Sequence, residues 1–193
     1  NYGDTRKRGL RLHRPSMEPN SPFDSLTRDA VGEAVRDLVP QARADVDASG
    51  ALTAVAVIGF AGDEVRGTLG LAASRPGLAR VAREAGVDAD DPLAAHDSLG
   101  ELANLVVGHV KRCWARRGVH ATLSTPLTLR GVAIEVCGAE RCANGTGAFV
   151  MALSNAEETG IHVWLDYHCP REVVLLEDDS IEQVADQGDA LFF

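Results

Sequence analysis

Three residues near the middle of the chain, Glu101, Asn104 and Gly108, have types and spacing that could form a small chemical site. At about 100° per residue they share one face of a predicted helix, opposite its apolar residues. A carboxylate and a carboxamide then lie one turn apart, beside a position without a side chain. Glycine inside a helix costs about 1 kcal/mol relative to alanine. A group that must approach the helix closely would explain Gly108.

Each of these residues also has a purely structural explanation. Ser98 and Glu101 fit a capping box, in which Glu101 would only satisfy a backbone N–H at a helix start. A helix that starts at Asp91-Pro92 removes that need, and proline at the first helical position favours this start. Asn104 could be an ordinary exposed residue, and Gly108 could seat a neighbouring strand. Spacing alone leaves these alternatives open.

A zinc site could be drawn from Cys137, Cys142 and the adjacent pair His168-Cys169. Sulfur and imidazole are the usual ligands of zinc. The spacing is loose, however, and the side chains of adjacent residues need not converge. We therefore predict ordinary buried or surface thiols and no metal site. A zinc-dependent or thiol enzyme built on Cys137, Cys142 and Cys169 ranks well below the other interpretations.

The candidate site depends on a long helix, and the chain around it is typical of an α+β domain. Apolar periodicity and stop signals predict helices over residues 26–39, 76–85 and from Asp91-Pro92 to about Arg117, before Gly118. Strands are predicted over residues 51–60, 65–73, 120–129, 131–137, 148–153 and 161–167. Because strands and helices do not alternate strictly, we predict a largely antiparallel sheet packed against long helices.

The helical wheel of the long helix separates a core face from a solvent face. The predicted core positions are Leu99, Leu102, Ala103, Val106, Val110, Cys113 and Trp114. Glu101 and Asn104 are predicted to be exposed on the opposite side.

Length and charge limit the functions that the chain can have. Its 193 residues suit one domain, and a net charge of −9 argues against a nucleic-acid role, which needs a broad basic surface. No stretch approaches the roughly 20 apolar residues of a membrane span. The few cysteines are typical of a reducing compartment. We expect a cytoplasmic protein that binds neither nucleic acid nor membrane.

Residues 1–16 are basic, whereas the rest of the chain is acidic. Such a leader could bind nucleic acid or a membrane, or could lie upstream of a start at Met17. The composition around Met17 favours a disordered terminus. We predict a disordered basic leader at 1–20, one domain at 21–175 and an acidic tail at 176–193, which is either a solvated extension or a docking tag.

Three segments resemble one protein family. They are LGELANLVVG at residues 99–108, LSTPLTLRG at 123–131 and the hairpin IGFAGDEVRGTLGL at 58–71. Together they resemble the CheX branch of the CheC/CheX/FliY chemotaxis phosphatases, whose members carry Glu-x-x-Asn on a long helix followed by a strand. The likeness covers about residues 24–168.

The resemblance implies a phosphatase that removes the aspartyl phosphate of a CheY-like response regulator in chemotaxis or related two-component signalling. It implies that Asn104 orients a water for in-line attack and that Glu101 pairs with a lysine of the regulator. It also implies a homodimer that pairs its sheets. The chain would need no cofactor of its own, since Mg²⁺ would belong to the regulator. Phosphoryl transfer needs positioning more than covalent help, which agrees with these roles.

Two features depart from the family pattern. His109 follows Gly108 where the family usually has asparagine, and the wheel places it beside the site, where we expect a flanking role. Residues 32–36 echo the motif faintly, but Arg36 stands at the asparagine position, so we predict one site and not two. The competing hypothesis is a non-catalytic dimeric interaction module of the same fold. Retention of both Glu101 and Asn104 favours the enzyme.

Overall fold

A computed structural model describes residues 21–38, 43–44, 51–134, 146–154 and 160–177. The helices are α1 (Pro22–Leu38), α2 (Arg75–Glu84) and α3 (Pro92–Ala115). The strands are β1 (Arg43–Ala44), β2 (Leu52–Ala61), β3 (Arg66–Ser74), β4 (Thr122–Leu123), β5 (Leu127–Ile134), β6 (Thr146–Ser154) and β7 (Ile161–His168). The predicted leader at 1–20 and nearly all of the predicted tail lie outside the described residues, as do Cys137 and Cys142.

The seven strands form one sheet in the order β1-β6-β7-β3-β2-β4, with β5 also paired to β2. All described pairings are antiparallel. The α+β prediction with an antiparallel sheet against long helices is therefore confirmed. No helix within the described part of the chain is both long and apolar enough to span a membrane.

The long helix begins where the sequence predicts. The Asp91 side chain accepts hydrogen bonds from the backbone N–H groups of Leu93 and Ala94, and Pro92 occupies the first turn. Ser98 lies inside the helix, where its hydroxyl donates to the Ala94 carbonyl at 2.8 Å. The capping-box alternative is thus wrong, and Glu101 is not used to cap a helix. Gly118, with φ of +81°, follows the C-terminal end of the helix.

The main core lies between the helices and one face of the sheet, and Trp114 is at its centre. Its ring is fully buried, 5.4 Å from the ring of Phe23 on α1 and 5.1 Å from Phe60 on β2. The indole N–H donates to the Thr27 hydroxyl at 2.9 Å, which satisfies a buried polar group. These contacts fix α3 against both α1 and the sheet.

The strands after α3 differ from the prediction. Residues 120–129 do not form one strand, because the chain leaves the ladder after β4 and rejoins it as β5. In this break Ser124 bonds to Gly59 twice, through its backbone N–H to the Gly59 carbonyl and through its hydroxyl, which accepts from the Gly59 N–H. The predicted strand at 131–137 is instead the second half of β5 within the described residues. The two-residue strand β1 was not predicted.

Leu176, the first residue of the predicted tail, contacts the turn that follows α3. The backbone N–H of Leu176 donates to the Arg117 carbonyl at 3.0 Å, and its side chain lies against Gly118.

Candidate functional site

Glu101, Asn104 and Gly108 form a ridge along the outer side of α3. Glu101 is exposed, and Asn104 and Gly108 are half-buried. With a rise of about 1.5 Å per residue, the three positions follow one another at roughly one-turn intervals. Neither polar side chain lies in the core, where Leu99, Ala103 and Val106 fill the opposite face. The ridge therefore projects a carboxylate and a carboxamide outward.

Gly108 has room for a side chain. A Cβ placed there would have Arg112 Nη1 as its nearest neighbour, at 3.7 Å, which is ordinary contact with the end of a flexible side chain. The explanation that Gly108 seats a neighbouring strand is therefore wrong for the described residues. Nothing in that part of the chain requires glycine at position 108.

The two flanks of the ridge are different. On one side Gly100 is buried, and a Cβ there would lie 3.4 Å from the Thr128 hydroxyl of β5. Asn104 is four residues after Gly100 and lies on this side of the helix. On the other side His109 Nε2 lies 3.4 Å from Glu33 Oε2 of α1. The ridge is thus framed by β5 and α1.

Most of the core positions that the helical wheel predicts for α3 are buried in the structure. Leu99, Ala103, Val106, Val110 and Trp114 are buried, whereas Leu102 and Cys113 are only half-buried at the margin of the core. These two point toward the α1 side, where the exposed surface begins. His96, Ser98, Gly100 and Val107 are buried as well, because α2 and the sheet cover a wider arc of the helix than a single stripe.

A cluster of metal-ligating side chains lies on the α1 side. One ligand atom each of Glu33, His109 and Cys113 lies within 4.8 Å of the others. The sequence alone did not indicate this cluster. The spacing of four between His109 and Cys113 places them on one side of α3, but only the packing of α1 brings Glu33 to them.

The thiol of Cys169 is poorly suited to chemistry. It packs against the core, and burial together with the nearby charge of Asp24 raises its pKa to about 11. Asp24 is itself buried and accepts a hydrogen bond from the Tyr167 hydroxyl. A thiol with such a pKa stays protonated near neutral pH and is a weak nucleophile and ligand.

A cavity of about 400 Å³ opens near the N-terminal end of α3. Arg75, His96 and Arg130 contribute to its lining, together with residues of β2 and α2. Glu101 and Asn104 do not line it. The candidate site is a convex ridge, a shape that suits the cleft of another macromolecule better than a small molecule.

Comparison with known proteins agrees with this architecture. The sequence profile of the family described as "Chemotaxis phosphatase CheX" matches residues 54–149, a span that contains Glu101, Asn104 and Gly108. No curated protein sequence gives a significant match.

Several solved structures are similar to the chain. The CheX protein of Vibrio vulnificus has 16% identity and a TM-score of 0.61, and the alignment covers 77% of this chain and 97% of that one. A CheC-like chemotactic protein of Shewanella oneidensis has 16% identity and a TM-score of 0.59, covering 76% and 97%.

A third similar structure is the CheX-CheY-BeF3-Mg²⁺ complex of Borrelia burgdorferi, with 14% identity, a TM-score of 0.54 and coverage of 76% and 97%. At such identities the solved structures establish the fold alone, and the sequence profile identifies a CheX domain over residues 54–149. The chain is therefore identified as CheX-like, with its CheX domain carrying α3 and the candidate site.

Proposed function

We propose that this protein hydrolyses the aspartyl phosphate of a CheY-like response regulator, with the α3 ridge as its docking and catalytic element. The observation that carries this proposal is the outward projection of Glu101 and Asn104 from one ridge beside Gly108. The Borrelia CheX protein, which shares the fold, has been solved in complex with CheY. A CheY-like partner is the natural candidate for a convex ridge on the same fold.

The reaction consumes water and needs little from the phosphatase. Water attacks the phosphorus in line, the bond between phosphorus and the aspartate oxygen breaks, and inorganic phosphate leaves. The Asn104 carboxamide holds and orients the attacking water as it enters the regulator's site. A neutral amide suffices, because holding the water in position lowers the activation barrier by removing the water's translational and rotational freedom.

Glu101 has a different task in this proposal. Its exposed carboxylate pairs with a lysine of the regulator and fixes the register of docking. Mg²⁺ on the regulator neutralises charge on the phosphoryl oxygens, and the chain supplies no ligand to that ion. The Borrelia complex contains Mg²⁺.

Gly108 provides a test of docking that separates binding from folding. Gly108→Ala fits the space on α3 and should stabilise the protein by up to about 1 kcal/mol, because alanine is the better helix former. The added methyl group should weaken regulator binding, since it holds the partner away from the ridge. Urea denaturation and a binding titration measure the two effects. Leu105→Ala is the control, because it changes the shape of the same outer surface one turn away and adds no group at position 108. A Gly108→Ala variant that binds the regulator as tightly as the parent contradicts close approach at this position.

We also propose a symmetric dimer that pairs sheet edges. β4 and β5 form an outer edge of the sheet, and β5 exposes Leu127, Leu129 and Val132, the last at 90%. An exposed apolar edge strand is a template for pairing with another chain. Light scattering at micromolar concentration should give twice the mass of the chain, and Val132→Lys should shift the population toward monomer. A strict monomer under these conditions contradicts the dimer.

The proposed activity is tested by mixing the protein with each phosphorylated response regulator of its own cell and timing phosphate loss. The protein should accelerate loss from at least one of them. If it binds a regulator without accelerating loss, the non-catalytic interaction module is the correct description. If it neither binds nor accelerates, both descriptions are wrong.

A further inference from the structure

The cluster formed by Glu33, His109 and Cys113 has the donors and the spacing of a metal site. It joins two helices, with Glu33 on α1 and the other two residues on α3. His109 Nε2 lies 3.4 Å from Glu33 Oε2. The Cys113 sulfur lies within 4.8 Å of one ring nitrogen of His109 and of one carboxylate oxygen of Glu33. One carboxylate, one imidazole and one thiol therefore surround a common point on the surface.

The positions of the three side chains are held by the surrounding packing. His109 and Cys113 are four residues apart on α3, so they lie on the same side of the helix. α1 is fixed against α3 by the hydrogen bond from Trp114 to Thr27 and by the contact between the rings of Phe23 and Trp114. Glu33 lies on the turns of α1 that follow Thr27. The cluster is therefore anchored by the core beneath it.

The observed spacing matches tetrahedral coordination. Zinc binds nitrogen and oxygen ligands at about 2.0–2.2 Å and thiolate at about 2.3 Å, which places neighbouring ligand atoms about 3.3–3.6 Å apart in a tetrahedron. The nitrogen-to-oxygen distance in the cluster already has this value. The sulfur needs at most a shift of about 1 Å, which rotation about the Cys113 side chain can supply.

We propose that Glu33, His109 and Cys113 bind one divalent cation of the zinc class, with the fourth position open to solvent. A thiolate and an imidazole select such ions over Mg²⁺ and Ca²⁺, which require several oxygen ligands. Binding releases the thiol proton of Cys113 and forms the sulfur–metal bond, with no change in oxidation state. The fourth position faces outward because Glu33 is exposed and His109 is half-buried.

A hydrogen bond between Glu33 and His109 is the simpler explanation of their contact. It would not require a thiol beside the pair, however, and the two explanations predict different behaviour when zinc is added. A bound ion would cross-link α1 to α3 next to Gly108, on the α1 flank of the ridge. The proposal stands independently of phosphatase activity, since it concerns the protein alone.

The test is a zinc titration of the full chain after treatment with a chelator, in competition with a chromophoric zinc indicator. The parent should bind one Zn²⁺ at this site, and its melting temperature should rise with zinc because the ion binds only the folded state. Cys113→Ser and His109→Gln should weaken binding at least tenfold (by about 1.4 kcal/mol) and remove the shift in melting temperature. Cobalt in place of zinc should give a thiolate charge-transfer band that is absent from Cys113→Ser.

Two further variants keep the outcome interpretable. Glu33→Gln changes an exposed side chain and leaves the fold intact, so its loss of zinc affinity cannot be ascribed to unfolding. Cys169→Ser is the matched control, because it removes a thiol outside the cluster and should bind zinc as the parent does. The proposal is overturned if the parent binds no zinc, or if Cys113→Ser and Glu33→Gln bind it as tightly as the parent.

Discussion

Asn104→Ala is expected to remove most of the acceleration of phosphate loss, about 100-fold at saturating protein, while regulator binding changes little. Misplacing the attacking water slows the reaction by about this factor. The activation barrier includes the loss of the water's translational and rotational freedom, and the Asn104 amide removes that freedom before the reaction. The Asn104 side chain is half-buried on the ridge and outside the core, so its removal should cost less than about 1 kcal/mol of stability. Phosphate loss measured over a range of protein concentrations separates the rate at saturation from the affinity.

Glu101→Ala is the contrasting variant on the same ridge. It should weaken the complex by about 1–3 kcal/mol, since it removes one member of a partly desolvated charge pair, and the rate at saturation should change much less. Glu101→Gln keeps the size of the side chain and should show the same loss of affinity if charge is the cause. An Asn104→Ala variant that dephosphorylates the regulator as fast as the parent contradicts the catalytic role of the amide.

Trp114→Ala is expected to destabilise the fold by about 3–5 kcal/mol. The substitution leaves a large cavity among Phe23, Phe60 and the rest of the core, and it removes the donor to the Thr27 hydroxyl. Because a domain has only about 5–15 kcal/mol of stability, the variant should be largely unfolded at moderate urea concentrations. Urea denaturation followed by circular dichroism measures the loss.

The second tryptophan of the chain is the matched control. Trp164 is half-buried, and its ring lies over Gly70 on the sheet face turned away from the helices. Its replacement by alanine should cost about 1 kcal/mol, since less surface leaves contact with the protein. If Trp164→Ala destabilises the protein as much as Trp114→Ala does, the position assigned to the core centre is wrong.

The parts of the fold that were predictable depend on local signals. The start of α3 follows from Asp91 and Pro92. The Asp91 side chain accepts hydrogen bonds from backbone N–H groups of the first turn, and Pro92 has a backbone conformation that suits that turn, so neither depends on the rest of the chain. The stripe that ends in Trp114 follows from helical periodicity. The likeness to the CheX family was also visible in residues 99–108, and the family match confirms it.

Features that depend on pairing between distant segments were not predictable. At the break between β4 and β5, Ser124 bonds to Gly59, 65 residues away along the chain. The hydrophobic periodicity of residues 120–137 does not reveal that contact. The two predicted strands, 120–129 and 131–137, were therefore divided at the wrong place. The strand order and the two-residue β1 depend in the same way on the tertiary fold.

The candidate site combines features that depend on local signals with features that depend on distant segments. A helical wheel suffices to place Glu101 on the outer side of α3, because that placement depends on one helix. It did not show that Asn104 would be half-buried. A helical wheel also could not predict that Glu33 lies beside His109 and Cys113, because that cluster exists only after α1 packs on α3.

The docking and catalytic roles of α3 are tested together by a structure of this protein bound to its response regulator, with Mg²⁺ and a beryllium fluoride adduct at the phosphorylation site. In that complex we expect α3 to enter the regulator's active site, with the Asn104 carboxamide within hydrogen-bonding distance, about 3 Å, of the position of the attacking water. We also expect Glu101 to contact a lysine of the regulator. A complex in which the regulator binds another surface and leaves Asn104 exposed to solvent would contradict both roles.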